Sequence, residues 1–429
     1  MATSNKAKSN GGKSNQNGNS SRLGSAWNLV FLAAGALLAL LVASLVNKTP
    51  GAESGGDGAA PAQSSLSRGL RGLAGPWGII EEIPIVLERP EEYFAIDPTP
   101  PPKILWFFPN HTASQLQDFF YSCGIADDLL PHLLDRTQWR ETPQGIWVEP
   151  SMETVRDLKA APRERIYRLL AQSPENIPHR YPFVYRLDGF DEWFAASGLP
   201  VEKVRQIREM TYRRNNMLCF SDGQYWQLTM PASEVRLLAR TLSRVPTMIL
   251  NVRVPPGCDT SGLLDYWGTS PRMRSLVPML NAMSRARDGV AISATYFFPP
   301  VPRLLAYSYP NPTNSIAPKP PDCFWTAMNF FHDQPDHGFF DSEKTKLALR
   351  TEYHQVPKAE RFGDIILLYE PGAEMTAVHM CVHIADDIVF TKNGADLFQP
   401  WVLMRFSDMM VNYPTEKPLQ MAFFRRLQR

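Results

Sequence analysis

Cysteine is scarce in this chain, with five in 429 residues, at Cys123, Cys219, Cys258, Cys323 and Cys381. Thiols so few and so scattered make no disulfide framework, and the odd number leaves one without an intramolecular mate. No Cys-x-x-Cys pair occurs, which removes the spacing of a zinc ribbon. An excess of either charge is missing too: 44 Lys and Arg stand against 43 Asp and Glu, a formal net charge of +1. That balance provides no electrostatic footprint for nucleic acid or an acidic polymer. Long apolar runs are also missing, with one exception near the start. With 44% hydrophobic and 20% charged residues overall, the composition allows two or three domains with cores of their own.

The exception is Ala26–Val46, interrupted only by Asn28 and Ser44 and close to the ~20 residues a helix needs to cross a bilayer. Residues 1–25 ahead of it are mostly Ser, Asn, Gly and Lys, and carry Lys6, Lys8, Lys13 and Arg22 with no acid. Such a segment cannot bury enough apolar surface to fold and reads as a disordered tail. Basic residues precede the run and only Lys48 shortly follows it. The positive-inside rule therefore predicts a single-pass cell-membrane anchor at 26–46, with a cytoplasmic N-terminus and the bulk of the chain exported. Residues 47–76, rich in Gly, Ala, Ser and Pro, read as a flexible linker.

From 77 to 318 the pattern is that of a duplicated α/β module plus connecting strands, with repeats at about 103–171 and 182–243. Phe119-Phe120-Tyr121-Ser122-Cys123-Gly124-Ile125 matches Trp193-Phe194-Ala195-Ala196-Ser197-Gly198-Leu199 in kind, and Gly124 and Gly198 lie 74 residues apart. Each copy is expected to run from an apolar strand through a helix to a short strand carrying Trp147 or Trp226. A helix entered through Glu153 or Glu234 then follows. The two tryptophans are expected as repeated core residues. The glycine-led helix entries have the look of helix-turn-helix units, but an exported module of balanced charge has no use for DNA. Wall binding, partner binding and autoinhibition stay open for this module.

The candidate chemistry lies in 319–429. Prolines crowd the chain before Asp322-Cys323, and apolar residues then recur at helical spacing in Phe324, Ala327, Met328 and Phe331. Cys323 should therefore sit in the first turn of a helix with Asp322 near its N-cap, where the positive end of the helix dipole favours a thiolate. His379 follows 56 positions later, on an expected strand Val378–Ile384 that comes after another at Asp364–Tyr369. His379, Cys381 and His383 alternate along one strand face. That pattern permits a zinc site, but no further ligand lies at a suggestive spacing and Cys323 would be left without a role. No metal and no cofactor are therefore expected. Asp386-Asp387 reads as a hairpin turn.

This order of helix-borne Asp322-Cys323, Gly363-Asp364 before an apolar strand, and His379 opening the next strand resembles the NlpC-type cell-wall cysteine peptidases, a papain-like family. Phe324 and Trp325 stand where that family has a small residue and Gly, and Cys381 stands where it has Gly. The chain as a whole thus reads as α+β, with the membrane anchor and the duplicated strand/helix module described above, and the resemblance, which covers 319–429, implies a C-terminal papain-like domain of a helix followed by an antiparallel sheet. It implies a Cys323 nucleophile and a His379 general base. The third polar residue falls by family spacing at Thr391 and by chemical type at Asn393, which is equally readable as a turn residue before Gly394. The implied function is a membrane-anchored exported cysteine hydrolase cutting an amide bond in cell-wall peptide. The alternative is a catalytically inactive papain-like domain that binds or scaffolds in the envelope, its partner a wall peptide or another envelope protein.

Overall fold

The computed structural model describes residues 73–90, 103–268, 276–311, 320–372, 376–395, 397–413 and 418–427. The expected anchor at 26–46, the tail before it and most of the linker lie outside the described residues. Among the described residues no helix is long and apolar enough to cross a membrane. They form an α+β fold with four antiparallel sheets.

Strands β1 (Leu73–Gly75) and β2 (Gly78–Leu87) form a hairpin closed at Gly75 opposite Gly78. The chain then builds two units in the same order of elements. The first has β3 (Trp106–Pro109), helices Ala113–Ser122 and Leu130–Leu134, the hairpin β4 (Trp139–Thr142) and β5 (Gly145–Val148), and helices Met152–Asp157 and Ala160–Leu170. The second has β6 (Phe183–Arg186), helices Phe190–Phe194 and Val201–Glu209, the hairpin β7 (Tyr212–Arg214) and β8 (Met217–Phe220), and helices Gly223–Thr229 and Ala232–Leu242. Both sheets place the third strand in the middle, β3-β5-β4 and β6-β8-β7. Gly124 and Gly198, at φ 70° and 76°, both follow an early helix of their unit in the left-handed conformation that glycine adopts without a Cβ penalty. The two units share one core, in which Trp106, Phe120, Leu133 and Ile166 of the first cluster with Trp193, Ile207, Phe220 and Trp226 of the second.

The expected pairing of tryptophans is corrected here. Trp147 lies on β5, but Trp226 lies on the helix Gly223–Thr229, and the β8 residue in the place of Trp147 is Cys219. Matching by aromatic kind skipped one helix. The segment after Asp222 has its adjacent bulky residues Tyr225 and Trp226 both buried on a helix, with Met230 N–H closing onto Trp226 O at 2.8 Å. The helix containing Glu234 is thus the second after its hairpin, whereas the one containing Glu153 is the first.

After the two units the chain returns as β9 (Val245–Val254), which pairs along β2, and β10 (Val290–Ser293), which pairs with β9. Helices Ser261–Trp267 and Val277–Ser284 intervene. The C-terminal sheet consists of β11 (Tyr353–Val356), β12 (Ile365–Glu370), β13 (Thr376–Ala385), β14 (Ile388–Lys392), β15 (Trp401–Arg405) and β16 (Gln420–Arg426), in the order β11-β16-β12-β13-β14-β15. The domain boundary expected at 318/319 does not separate two cores. Ile80, Leu250, Trp267 and Phe298 pack in one cluster with Trp325, Met380 and Phe390. Backbone bonds cross the same boundary, from Tyr307 N–H to Trp401 O at 2.8 Å and from Trp401 N–H to Ser308 O at 3.0 Å. By packing, the chain divides instead into the two strand–helix units and a second body that joins β2 and β9 to the C-terminal sheet.

Candidate functional site

Asp322 caps the helix Cys323–Met328, its Oδ1 accepting Trp325 N–H at 2.8 Å, as a short carboxylate at an N-cap does. Thr326 Oγ1 donates back to Asp322 O at 2.7 Å and accepts from Trp401 Nε1 at 3.0 Å, which ties the helix to β15. At the other end the buried Asn329 closes the turn by donating to Trp325 O at 3.0 Å and accepting Asp336 N–H at 2.6 Å. The helix is short, with every residue but Phe324 buried. It packs on β13 and β14, where Trp325, Ala327 and Met328 meet Met380, Val382, Ile384 and Phe390.

Side chains alternate along a strand. Since Met380, Val382 and Ile384 share a core with Trp325, Ala327 and Met328 of the helix, His379 and Cys381 fall on the other face of β13, while the Cys323 sulfur itself stays close to Met380 N–H and to Cys381. Cys381 packs with Ile366, Leu368, Val389, Val402 and Met404 in a separate core on the far side of the sheet. The His379 ring stacks at 4.4 Å on Tyr413, which packs against that same core. Its Nε2 lies 2.8 Å from Thr391 Oγ1, while its Nδ1 is buried with no hydrogen-bond partner. The structure thus brings Thr391 to His379 and leaves Asn393 out of reach. Asn393 donates to Met404 Sδ at 3.3 Å and accepts from Tyr413 O–H at 3.4 Å. It lies past the end of β14, where the alternation that lines up Thr391 with His379 has stopped.

Cys323 is 5% exposed and His379 is 0% exposed. Burial pushes the Cys323 thiol up to about 12, with the Asp322 charge adding to the rise; Met380 N–H and the Lys392 ammonium oppose it. A rise of that size stands for ~4 kcal/mol against the thiolate, several times the ~0.3–1 kcal/mol a helix terminus supplies. In the buried position it occupies here, desolvation therefore outweighs the dipole at Cys323. Burial alone pushes His379 down to about 3, which keeps the imidazole neutral. Burial likewise holds the Cys381 thiol well above its ordinary range, with the Cys323 sulfur adding to it.

The neighbouring polar residues are structural. Asp364 is buried, takes a two-pronged ion pair from Arg425 at 2.8 and 2.7 Å, and accepts the N–H groups of Glu360 and Arg361 at 2.9 Å. Gly363 has φ +87°, and a Cβ there would stand 2.0 Å from the Phe331 ring. This is a packing reason for the Gly-Asp pair, apart from any catalysis. Asp386-Asp387 forms the two-residue turn between β13 and β14, with Asp386 at φ 52° and Ala385 pairing with Ile388. Among the described residues no cluster of three or more His, Cys, Asp or Glu is arranged to hold a metal ion. Sequence reasoning passed over Lys392, which is fully buried beside the Cys323 helix with Nζ 2.7 Å from Gly394 O and 5.9 Å from the Trp401 ring centre. Its position two residues after Phe390, on an apolar strand, was the available signal.

Compared with known protein families, with curated proteins and with solved structures, the chain matches none.

Proposed function

We propose that the chain is a binding or scaffold protein of the cell envelope, held by the 26–46 anchor, whose papain-like C-terminal unit does not hydrolyse. One observation carries this reading: the His379 ring spends Nε2 on Thr391 and bonds nothing through Nδ1, so it makes no hydrogen bond to Cys323, and burial holds both groups neutral. A cysteine hydrolase needs thiol and imidazole within hydrogen-bond reach so that the proton passes from one to the other. The two strand–helix units, read as an internal repeat, then supply the surface that meets a partner, either a wall peptide or another envelope protein. The hydrolase reading keeps one specific support, the His379–Thr391 pair, which leaves Nδ1 free as a general base would require.

Incubating the purified full chain and its Cys323→Ser variant with peptides released from cell wall, followed by mass spectrometry, separates the two. No cleavage by either protein is the expected result. Cleavage by the native chain that disappears in Cys323→Ser would overturn the proposal.

A further inference from the structure

The two strand–helix units leave between them a groove of about 410 Å³, within the range of small-molecule sites. Four cationic side chains reach it, Arg156 and Lys159 from the first unit and Arg208 and Arg213 from the second, against two acids, Asp157 and Glu209. Both acids are already engaged: Asp157 by Arg156 at 2.7 and 2.6 Å, and Glu209 by Arg205 at 3.0 Å. Arg208 is paired with Asp191. Among the described residues Lys159 and Arg213 have no ion-pair partner. Arg213 is steered rather than neutralised, its Nε donating to Asn215 O at 2.6 Å. Lys159, whose charge reaches Asp157 without forming an ion pair, and Arg213 thus line the groove with positive charge that no ion pair cancels. Lys159 also begins the helix Ala160–Leu170, which has no side-chain cap and no acid in its first turn, so the positive end of that helix adds to the same field. Leu218, partly exposed, supplies apolar wall beside the charges.

We infer that this groove binds a small organic phosphate, its dianionic head between Lys159 and Arg213 and its carbon skeleton against Leu218. Two unpaired cations match the charge of a phosphomonoester, and a guanidinium fork suits its oxygens. The groove is larger than a bare phosphate needs. It lies at the surface where the two units meet, is lined by none of the C-terminal residues, and does not depend on how the C-terminal unit is read.

Calorimetric titration of the full chain with phenyl phosphate and with inorganic phosphate, at fixed ionic strength in chloride, tests this. Saturable binding is expected, tighter for phenyl phosphate, and weakened about tenfold or more by Lys159→Ala and by Arg213→Ala. Both side chains are exposed, so the melting temperature of each variant should match that of the native chain. An absence of saturable heat, or equal affinity in the Lys159→Ala/Arg213→Ala double variant, overturns the inference. Equal affinity for the two probes overturns the assignment of an organic part.

Discussion

Replacing Arg163 by Ala is expected to lower the unfolding free energy by about 3–5 kcal/mol, because it strips a buried carboxylate of its counter-ion. The Arg163 side chain is fully buried and pairs across the two units with Asp222, itself 5% exposed. Tyr167 O–H donates to Asp222 Oδ1 at 2.5 Å, and Arg163 also donates to Tyr167 Oη at 3.0 Å. The remaining guanidinium donors reach Val155 O at 2.8 Å and Leu158 O at 2.9 Å. One side chain thus closes the turn between two helices of the first unit and fastens the start of a second-unit helix to it. Removing the partner as well relieves the stranded charge. The Arg163→Met/Asp222→Leu pair should therefore fall short of the sum of its singles by ~1–3 kcal/mol. Urea unfolding followed by tryptophan fluorescence measures both quantities. Additive losses would mean that the pair does not act as a unit.

Acid should weaken the fold well above the range in which carboxylates titrate. His179, His379 and His383 are all buried; burial, assisted for His179 by the Arg163 charge, pushes the first two down to about 3, and burial pushes His383 down to about 4 against the pull of Asp364 and Asp386. Both ring nitrogens of His179 lack partners, and the ring lies edge-on to Tyr167 at 4.4 Å. Their folded values lie below the ordinary 6.5. Between those limits the unfolded chain binds protons that the folded chain refuses. The stabilisation is complete above about pH 6.5 and is lost as pH falls toward 3–4. Each histidine supplies a limiting slope of ~1.4 kcal/mol per pH unit, and the three together ~4. Urea midpoints measured from pH 7.5 to pH 5 should fall steadily, and His179→Phe should remove about a third of the slope. Stability that stays flat down to pH 5 would show that these rings meet solvent in the native state.

How much of this was legible in the sequence differs element by element. The start of the Cys323 helix was legible because an N-cap carboxylate followed by apolar residues at helical spacing admits few other local structures, and Asp322 does cap Trp325 N–H. The β13–β14 hairpin was legible from Asp386-Asp387 for the same local reason. The facing of the site depended on tertiary packing. Alternation put His379, Cys381 and His383 on one face and Met380, Val382 and Ile384 on the other, and an apolar helix must cover the apolar face. The return of β9 into the C-terminal core was not legible, because pairing between β2 and β9 spans the whole of the two intervening units and no local pattern records it.

The direct measurement of whether Cys323 and His379 form a dyad is the alkylation rate of each thiol in the folded chain, resolved by peptide mass spectrometry from pH 6 to 9. Cys258 is half-buried, and the other four cysteines are buried. Cys258 should label first, and Cys323 should react no faster than Cys123, Cys219 and Cys381, at a rate set by opening of the fold. Fast labelling of Cys323 with an inflection below the ordinary thiol range, abolished by His379→Ala, would contradict the account and restore the catalytic pair.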